Sequence, residues 1–419
     1  MRVLVLSNIY PPLVIGGYEL ACANVARGLA ERGHDVRVLT SWTPVARIEE
    51  DPVPVERSLE AHLHVPFPSA QPAVNRMDVH LGFCSSAGNA IRLLEAIRGF
   101  RPDVVYVCNL PGIGGVGLLD TLNEARVPWV HHMMDNVPGA LLAGVRPETL
   151  ELFNAGGRGL FSGGRVIAIS RTILDEARAS SGLALDEGVD IVPGWADLCA
   201  ARPHQPYLRG GVARFVAAGA IYAHKGVDLM IEASARLRAE GLPFVVDVFG
   251  DGELSKYREM ASRFGVADIV RLRGPRAQPE LIGLFADYDS FLFPSWDREP
   301  FGLVPVEAAG CGTPPVITRN VGAAEWLVDN VHAIKIDRGV DDLADAMRRV
   351  ARGEVDLARL ARAGRRLVAR DLSFARCLDR IEAILGQAAR EGGPPPPFDP
   401  MLPVLAFLKH NLSISLAFG

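Results

Sequence analysis

PSWDREPFGLVPVEAAGCG, residues Pro294 to Gly312, holds two glutamates, Glu299 and Glu307, separated by seven residues. Between them, Phe301-Gly302 leads into an apolar run whose small residues and closing glycines predict a short helix. Pro305 suits the first turn of that helix, where a proline removes no intrahelical hydrogen bond. Gly310 and Gly312 read as stop signals. Glu299 then precedes the helix and Glu307 lies inside it, roughly 6 Å along the axis from an opening near Leu303. The unbonded N–H groups of the first turn face outward between the two carboxylates as an anion site. Carboxylates flanking a phosphate cradle suit a sugar nucleotide, with hydroxyls at both ends and a diphosphate in the middle. Without its context the same stretch would read as an ordinary amphipathic helix carrying solvated glutamates.

At 419 residues the chain is too long for one core and predicts two domains with an appendage. A net charge of −5 gives no general case for nucleic acid, and no long run of like charge occurs. The six cysteines (Cys22, Cys84, Cys108, Cys199, Cys311, Cys377) show neither CxxC nor Cys/His spacing, and so read as reduced thiols of a cytoplasmic protein. The opening MRVLVLS is too short for the apolar segment of a signal peptide. Nothing approaches the eighteen or so apolar residues of a membrane span.

Arg2–Ser7 is an apolar run suited to a buried parallel strand. The loop NIYPPLVIGGYE follows, then a helical pattern through Leu20, Val25, Leu29 and Ala30 that stops at Gly33, then the strand HDVRVLTS. This strand–loop–helix–strand unit is Rossmann-like without the GxGxxG fingerprint, so NAD is not indicated. Trp42 to Asn75 has weak periodicity and reads as an excursion towards an acceptor. The βα rhythm resumes with a helix near Ser86–Phe100, a strand at Asp103–Cys108, a helix near Gly115–Ala125 and a strand at Pro128–His132. Adjacent strand histidines point to opposite faces, so at most one of His131 and His132 faces a cleft. His132 is either a sugar or acceptor contact or a satisfied core histidine. Zinc is not expected without further spaced ligands. After Arg165–Ser170 and DIVPGWAD, the segment ARPHQPYLRGG reads as a linker. A second βα series starts at Phe215–Gly219 and continues with strands at Val245–Phe249, Val270–Leu272 and Ser290–Phe293. Asp287 and Asp289 spell DxD, but they fall where a helix ends and a strand begins, which favours a structural role. Roughly Val340–Leu385 reads as a long amphipathic helical stretch.

Pro294, Ser295, Glu299, Phe301, Gly302, Glu307, Gly312 and Pro314 resemble the signature of the family 4 retaining glycosyltransferases of the GT-B fold. The resemblance covers about residues 1–390. It implies an α/β fold of two Rossmann-like domains facing a central cleft: an acceptor domain over 1–205, a donor domain over 206–370 and a crossing-back helix over 371–390. It also implies transfer of a sugar from a nucleotide-diphosphate donor to a small-molecule, glycan or lipid-linked acceptor, with retained configuration and neither cofactor nor metal. Within it, Glu307 takes ribose hydroxyls and Glu299 takes donor-sugar hydroxyls. Lys225 and the backbone at Gly302 and Leu303 meet the diphosphate, in a pocket that includes Gly219, Pro294 and Phe301. Gly16 and Gly17 lie against the phosphates across the cleft, and His132 and Asp135 stand near the sugar. The chain departs from the pattern at Ala220, where an arginine is usual, at Met134, where a histidine is expected, and at Ala323, where the loop around Gly322 and Glu325 usually has a second glycine. These departures keep a non-catalytic binding subunit open as an alternative, beside another GT-B enzyme such as a sugar-nucleotide epimerase or a phosphorylase.

Residues 391–419 fall outside the resemblance. EGGPPPPFDP reads as a stiff spacer and MLPVLAFLKHNLSISLAFG as an apolar tail. The tail either packs on the N-terminal domain or, through residues 400–419, meets a membrane surface at the inner face or a protein partner.

Overall fold

The computed structural model describes residues 1–42, 51–62, 76–143, 145–155, 159–161, 163–182, 185, 189–196, 198, 200–394 and 396–418. These fall into two compact units. The first comprises Met1–Ile169, Ile173–Val192 and Leu378–Gly419; the second comprises Ser170–Thr172 and Pro193–Cys377.

The first unit is built on seven strands: β1 (Arg2–Leu6), β2 (Asp35–Ser41), β3 (Val55–Leu59), β4 (Val104–Val107), β5 (Trp129–Met133), β6 (Arg165–Ala168) and β7 (Val189–Ile191). Every pairing is parallel, in the order β3-β2-β1-β4-β5-β6-β7. Strands covered on both faces need apolar residues throughout, and β4 and β5 are buried along their whole length. The order reverses between β1 and β4, which puts a topological switch point at the carboxyl ends of those strands.

The second unit repeats the plan with β8 (Ala213–Ala218), β9 (Phe244–Phe249), β10 (Val270–Gly274), β11 (Ser290–Phe293), β12 (Pro315–Thr318) and β13 (Ile334–Ile336). The sheet runs β10-β9-β8-β11-β12-β13, again parallel, with its switch point between β8 and β11. Phe215, Val246 and Val248 of the sheet pack with Ile231, Leu343 and Met347 of the helices. Each such side chain contributes about 1.5–3 kcal/mol by leaving water.

Several elements differ from the sequence reading. β3 lies inside the stretch Trp42–Asn75, of which residues 43–50 and 63–75 fall outside the described residues; Cys199 does too. The helical stretch Val340–Leu385 is divided among three helices: Val340–Ala351, Leu357–Asp371 and Phe374–Gly392. The first ends where Gly353 turns left-handed at φ 71, and Asp356 caps the second by accepting from Arg359 N at 2.9 Å. Gly310 is no stop signal. It sits within the helix Leu303–Cys311, where a Cβ would run into the Leu198 side chain, and Gly312 at φ 93 ends the helix.

The apolar tail forms the helix Leu402–Phe418, which belongs to the first unit. Its Lys409 Nζ lies 2.5 Å from Asp120 and 2.8 Å from Glu124. His410 is buried with its Nδ1 2.9 Å from the Ser85 hydroxyl. These contacts pack one face of the tail on the N-terminal unit. Among the described residues no helix is long and apolar enough to cross a membrane.

Candidate functional site

The loops after β8 and β11 meet at the switch point of the second unit. Leaving β8, the chain passes Gly219 and makes the short turn Ala223–Lys225, then enters the helix Val227–Ala239 through Gly226. Gly226 has φ +74, and a Cβ there would collide with the carbonyl oxygen of Pro294. Only glycine lets the lysine loop lie this close to the end of β11. Trp296 N donates to His224 O at 2.8 Å and locks the two loops together.

This closeness brings Lys225 and Glu299 into contact. The Lys225 ammonium donates to Glu299 Oε2, which also accepts from the Ser295 hydroxyl at 2.8 Å. Glu299 is 8% exposed and Ser295 is fully buried. The sequence reading had assigned the two charges separately, one to phosphate and one to sugar. Here they form one ion pair across loops that lie 74 residues apart.

After Glu299 the chain passes Phe301, 2% exposed, to Gly302. Gly302 has φ 86 and starts the helix Leu303–Cys311 with no side-chain cap. The first N–H groups of such a helix have no intrahelical partner, and they follow Glu299 closely in the chain. Glu307 stands in that helix, 5% exposed, and accepts from Gln278 Nε2 at 2.5 Å. Gln278 escaped the sequence reading, since nothing local links it to a glutamate 29 residues away. A third loop completes the wall: Gly322 N donates to Glu299 O at 3.2 Å and Ala323 N to Phe301 O at 2.8 Å. Ala323, which stands where a glycine was expected, is fully buried. Glu325 turns away from the cluster and accepts from Arg171 N at 2.9 Å and Thr172 N at 2.8 Å. Arg338, also missed, donates to Ala223 O at 2.9 Å and sets a second cation beside the lysine loop.

Asp287 and Asp289 have structural partners. Asp289 accepts from Leu208 N at 2.6 Å and Arg214 N at 2.7 Å, which ties the entry of β8 to β11. Asp287 pairs with Arg202.

The first unit carries the other residues singled out by sequence. Gly16 precedes the helix Gly17–Glu31 in extended backbone, and its N–H donates to Glu19 Oε2 at 2.8 Å. A Cβ at Gly16 would meet open space. Tyr18 is the unforeseen residue here. Its hydroxyl donates to His132 O at 2.6 Å, lies 3.2 Å from Cys108 O and accepts from Met134 N at 3.3 Å, which pins the ends of β4 and β5. The His132 ring is fully buried with its Nδ1 2.6 Å from the Tyr106 hydroxyl. Burial, then the neighbouring His131, pushes its pKa down to about 3. Asp135 is exposed just beyond β5 and accepts from Asn136 N at 2.7 Å.

Residues 16–195 match the family described as glycosyl transferase 4-like domain, and residues 204–367 match glycosyl transferases group 1. The chain belongs to the family 4 glycosyltransferases of the GT-B fold. The glycosyltransferase is 28% identical over 428 residues to a glycogen synthase of Mycobacterium tuberculosis, covering 97% of this chain and 98% of that protein. Its fold resembles a glycosyltransferase from Rickettsia africae with a TM-score of 0.71 at 15% identity, over 92% of this chain and 98% of the other. HepE of Anabaena, solved in complex with UDP, gives 0.68 at 19% identity, over 92% and 100%. The protein is a nucleotide-sugar glycosyltransferase, and the epimerase, phosphorylase and non-catalytic readings are not favoured.

Proposed function

We propose that the enzyme transfers a hexose with retention of configuration and without a metal ion. The observation that carries this reading is the Lys225–Glu299–Ser295 cluster, set against the open end of the helix that bears Glu307. In the proposed reaction the acceptor oxygen bonds to the anomeric carbon on the face from which the nucleoside diphosphate departs. The bond from that carbon to the phosphate oxygen breaks, and the acceptor's proton passes to the leaving phosphate. The negative charge that builds there meets Lys225 and the N–H groups at Gly302 and Leu303, a kind of donor commonly worth about 2.7–4 kcal/mol of barrier.

Glu307 holds the ribose and Glu299 the donor sugar, with Gly219, Pro294 and Phe301 shaping the pocket. Asp135 is the exposed candidate for a sugar or acceptor contact, while the enclosed His132 supports its strand. With Asp289 taken up by backbone amides and Asp287 by Arg202, the cationic work falls to protein groups. Among the described residues Cys22, Cys84, Cys108, Cys311 and Cys377 are free and buried, which suits a reducing cytoplasm.

The test starts from a thermal-shift panel of UDP, GDP, ADP and TDP, with UDP first because HepE was solved with it. Transfer with the selected donor is expected to persist in EDTA and to give a product of retained anomeric configuration by NMR. Glu307→Ala is expected to weaken nucleotide binding by about 1.5–3 kcal/mol, as for loss of a charge-assisted hydrogen bond. An inverted product, activity that needs manganese or magnesium, or unchanged nucleotide affinity in Glu307→Ala would each overturn the matching part.

A further inference from the structure

The helix Leu402–Phe418 docks on the first unit through one face and leaves an apolar stripe on the other. Ala406, His410 and Ser413 are buried against the first unit. On the opposite side Met401, Leu405, Leu408 and Leu412 follow one another at helical spacing with Val404 beside them, each 47–59% exposed. An exposed apolar face of this kind ordinarily marks an interaction surface. At the start of this stripe lies a cavity of about 270 Å³, walled by Arg98, Arg101, Arg126, Phe398 and Leu402. The Arg98 guanidinium lies 5.8 Å over the Phe398 ring. None of the three arginines forms an ion pair among the described residues; of the two carboxylates on the same wall, Glu124 is matched by Lys409 and Asp399 accepts from Met401 N at 2.8 Å, which leaves the arginines in excess. Leu402 belongs to both features, so cationic cavity and apolar stripe are continuous.

We propose that this face rests on an anionic phospholipid surface, with a headgroup phosphate in the arginine cavity and the Met401–Leu412 stripe at the acyl boundary. Guanidiniums suit phosphate oxygens through paired N–H donors. Seventeen residues of helix span about 25 Å, short for a crossing, and with its inner face docked on protein the helix can only lie in the interface plane. The stripe exposes on the order of 500 Å², below the roughly 800 Å² per partner of a stable protein interface, which argues against a second copy as the occupant. The proposal is independent of the transferase reading.

The test is flotation of the full chain with vesicles of phosphatidylcholine, alone or with added phosphatidylglycerol. Wild type is expected to float with the anionic vesicles at least tenfold better, and to release them as salt rises. Leu408→Asp with Leu412→Asp changes exposed positions and is expected to abolish flotation at an unchanged melting temperature. Arg98→Gln with Arg101→Asn and Arg126→Asn is expected to lower affinity for the anionic vesicles on the order of a hundredfold. Asparagine is chosen because Arg101 and Arg126 both have φ 52, which it tolerates. No flotation of wild type with either vesicle overturns the proposal, as does a stripe variant that floats like wild type. A wild-type dimer that Leu408→Asp dissociates, with lipid binding unchanged, would assign the face to a second copy instead.

Discussion

The ion pair between Lys225 and Glu299 changes what a substitution at either residue measures. Glu299 is 8% exposed and the Lys225 side chain 24%, so the pair is only partly desolvated. Taking the ammonium away strands a nearly buried carboxylate, a loss that reaches 3–5 kcal/mol for a fully buried pair and less where water still screens it. Lys225→Ala would therefore lower stability as well as slow the departure of the diphosphate, and kinetics alone would not separate the two. A double-mutant cycle of Lys225→Ala and Glu299→Gln, read by denaturant unfolding of the second unit without nucleotide, is expected to give a coupling of about 1–2 kcal/mol. Additive effects would mean that the contact contributes nothing and that the lysine is free for phosphate from the start. The spacing of Glu299 and Glu307 was legible in sequence because both lie on one loop and the helix that follows it. Their partners were not. Lys225 and Gln278 reach them only through the parallel order of β8 and β11 and the packing of separate helices, which no local pattern encodes.

At the scale of elements, the lysine loop depends on a close approach that only a glycine permits. Gly226→Ala meets two obstacles at once: the left-handed φ of +74, and a Cβ driven into the Pro294 carbonyl. Gly210→Ala has almost the same φ, +72, with open space around it, and so isolates the backbone term. That control is expected to cost about 1 kcal/mol, and Gly226→Ala distinctly more, on the order of 3 kcal/mol, with nucleotide binding lost besides. Equal costs, measured by denaturant unfolding, would show that the loop moves aside without penalty. The strands were legible as apolar runs because both sheets are parallel and covered on each face. Breaks between helices were harder to place: Gly353 and Asp356 interrupt a periodicity that reads as continuous. The role of the last helix was hidden for another reason, since its partners Asp120 and Ser85 lie some three hundred residues earlier. Removing residues 402–418 takes Lys409 from Asp120, which is 2% exposed, and uncovers the wall around His80 and Gly117. The truncated chain is expected to lose about 3–5 kcal/mol of stability in the first unit while nucleotide affinity in the second stays within twofold. An unchanged first unit, followed by hydrogen exchange in β4 and β5, would refute the docking contacts.

Across the whole molecule, buried histidines are distributed unevenly between the two units. Burial holds His131 at about 4, His132 at about 3 and His410 at about 4, with Lys409 and His80 adding to the effect at His410; all three stand in the first unit. His80 and His62 of the same unit are lowered by burial as well. In the second unit His224 and His332 are lowered while only partly enclosed. A folded-state pKa below the unfolded 6.5 means that the unfolded chain binds the extra proton. Stability is therefore full above pH 6.5 and falls as the pH drops from there towards the folded value. At pH 5 each of the three histidines removes roughly 2 kcal/mol. Asp120 acts in the opposite direction, because burial raises its pKa to about 6 against the pull of Lys409. Its folded form gains the proton first, which returns about 1 kcal/mol by pH 5. Three histidines outweigh one aspartate, so the first unit is expected to lose on the order of 4 kcal/mol between pH 7 and pH 5, more than the second. Hydrogen exchange resolves this by unit: amides of β5 are expected to lose protection at a higher pH than those of β8 as acid is added. His410→Gln should narrow the gap wherever its own packing survives. Loss of protection in β8 before β5, or in both strands at the same pH, would show that the buried histidines do not govern the acid response.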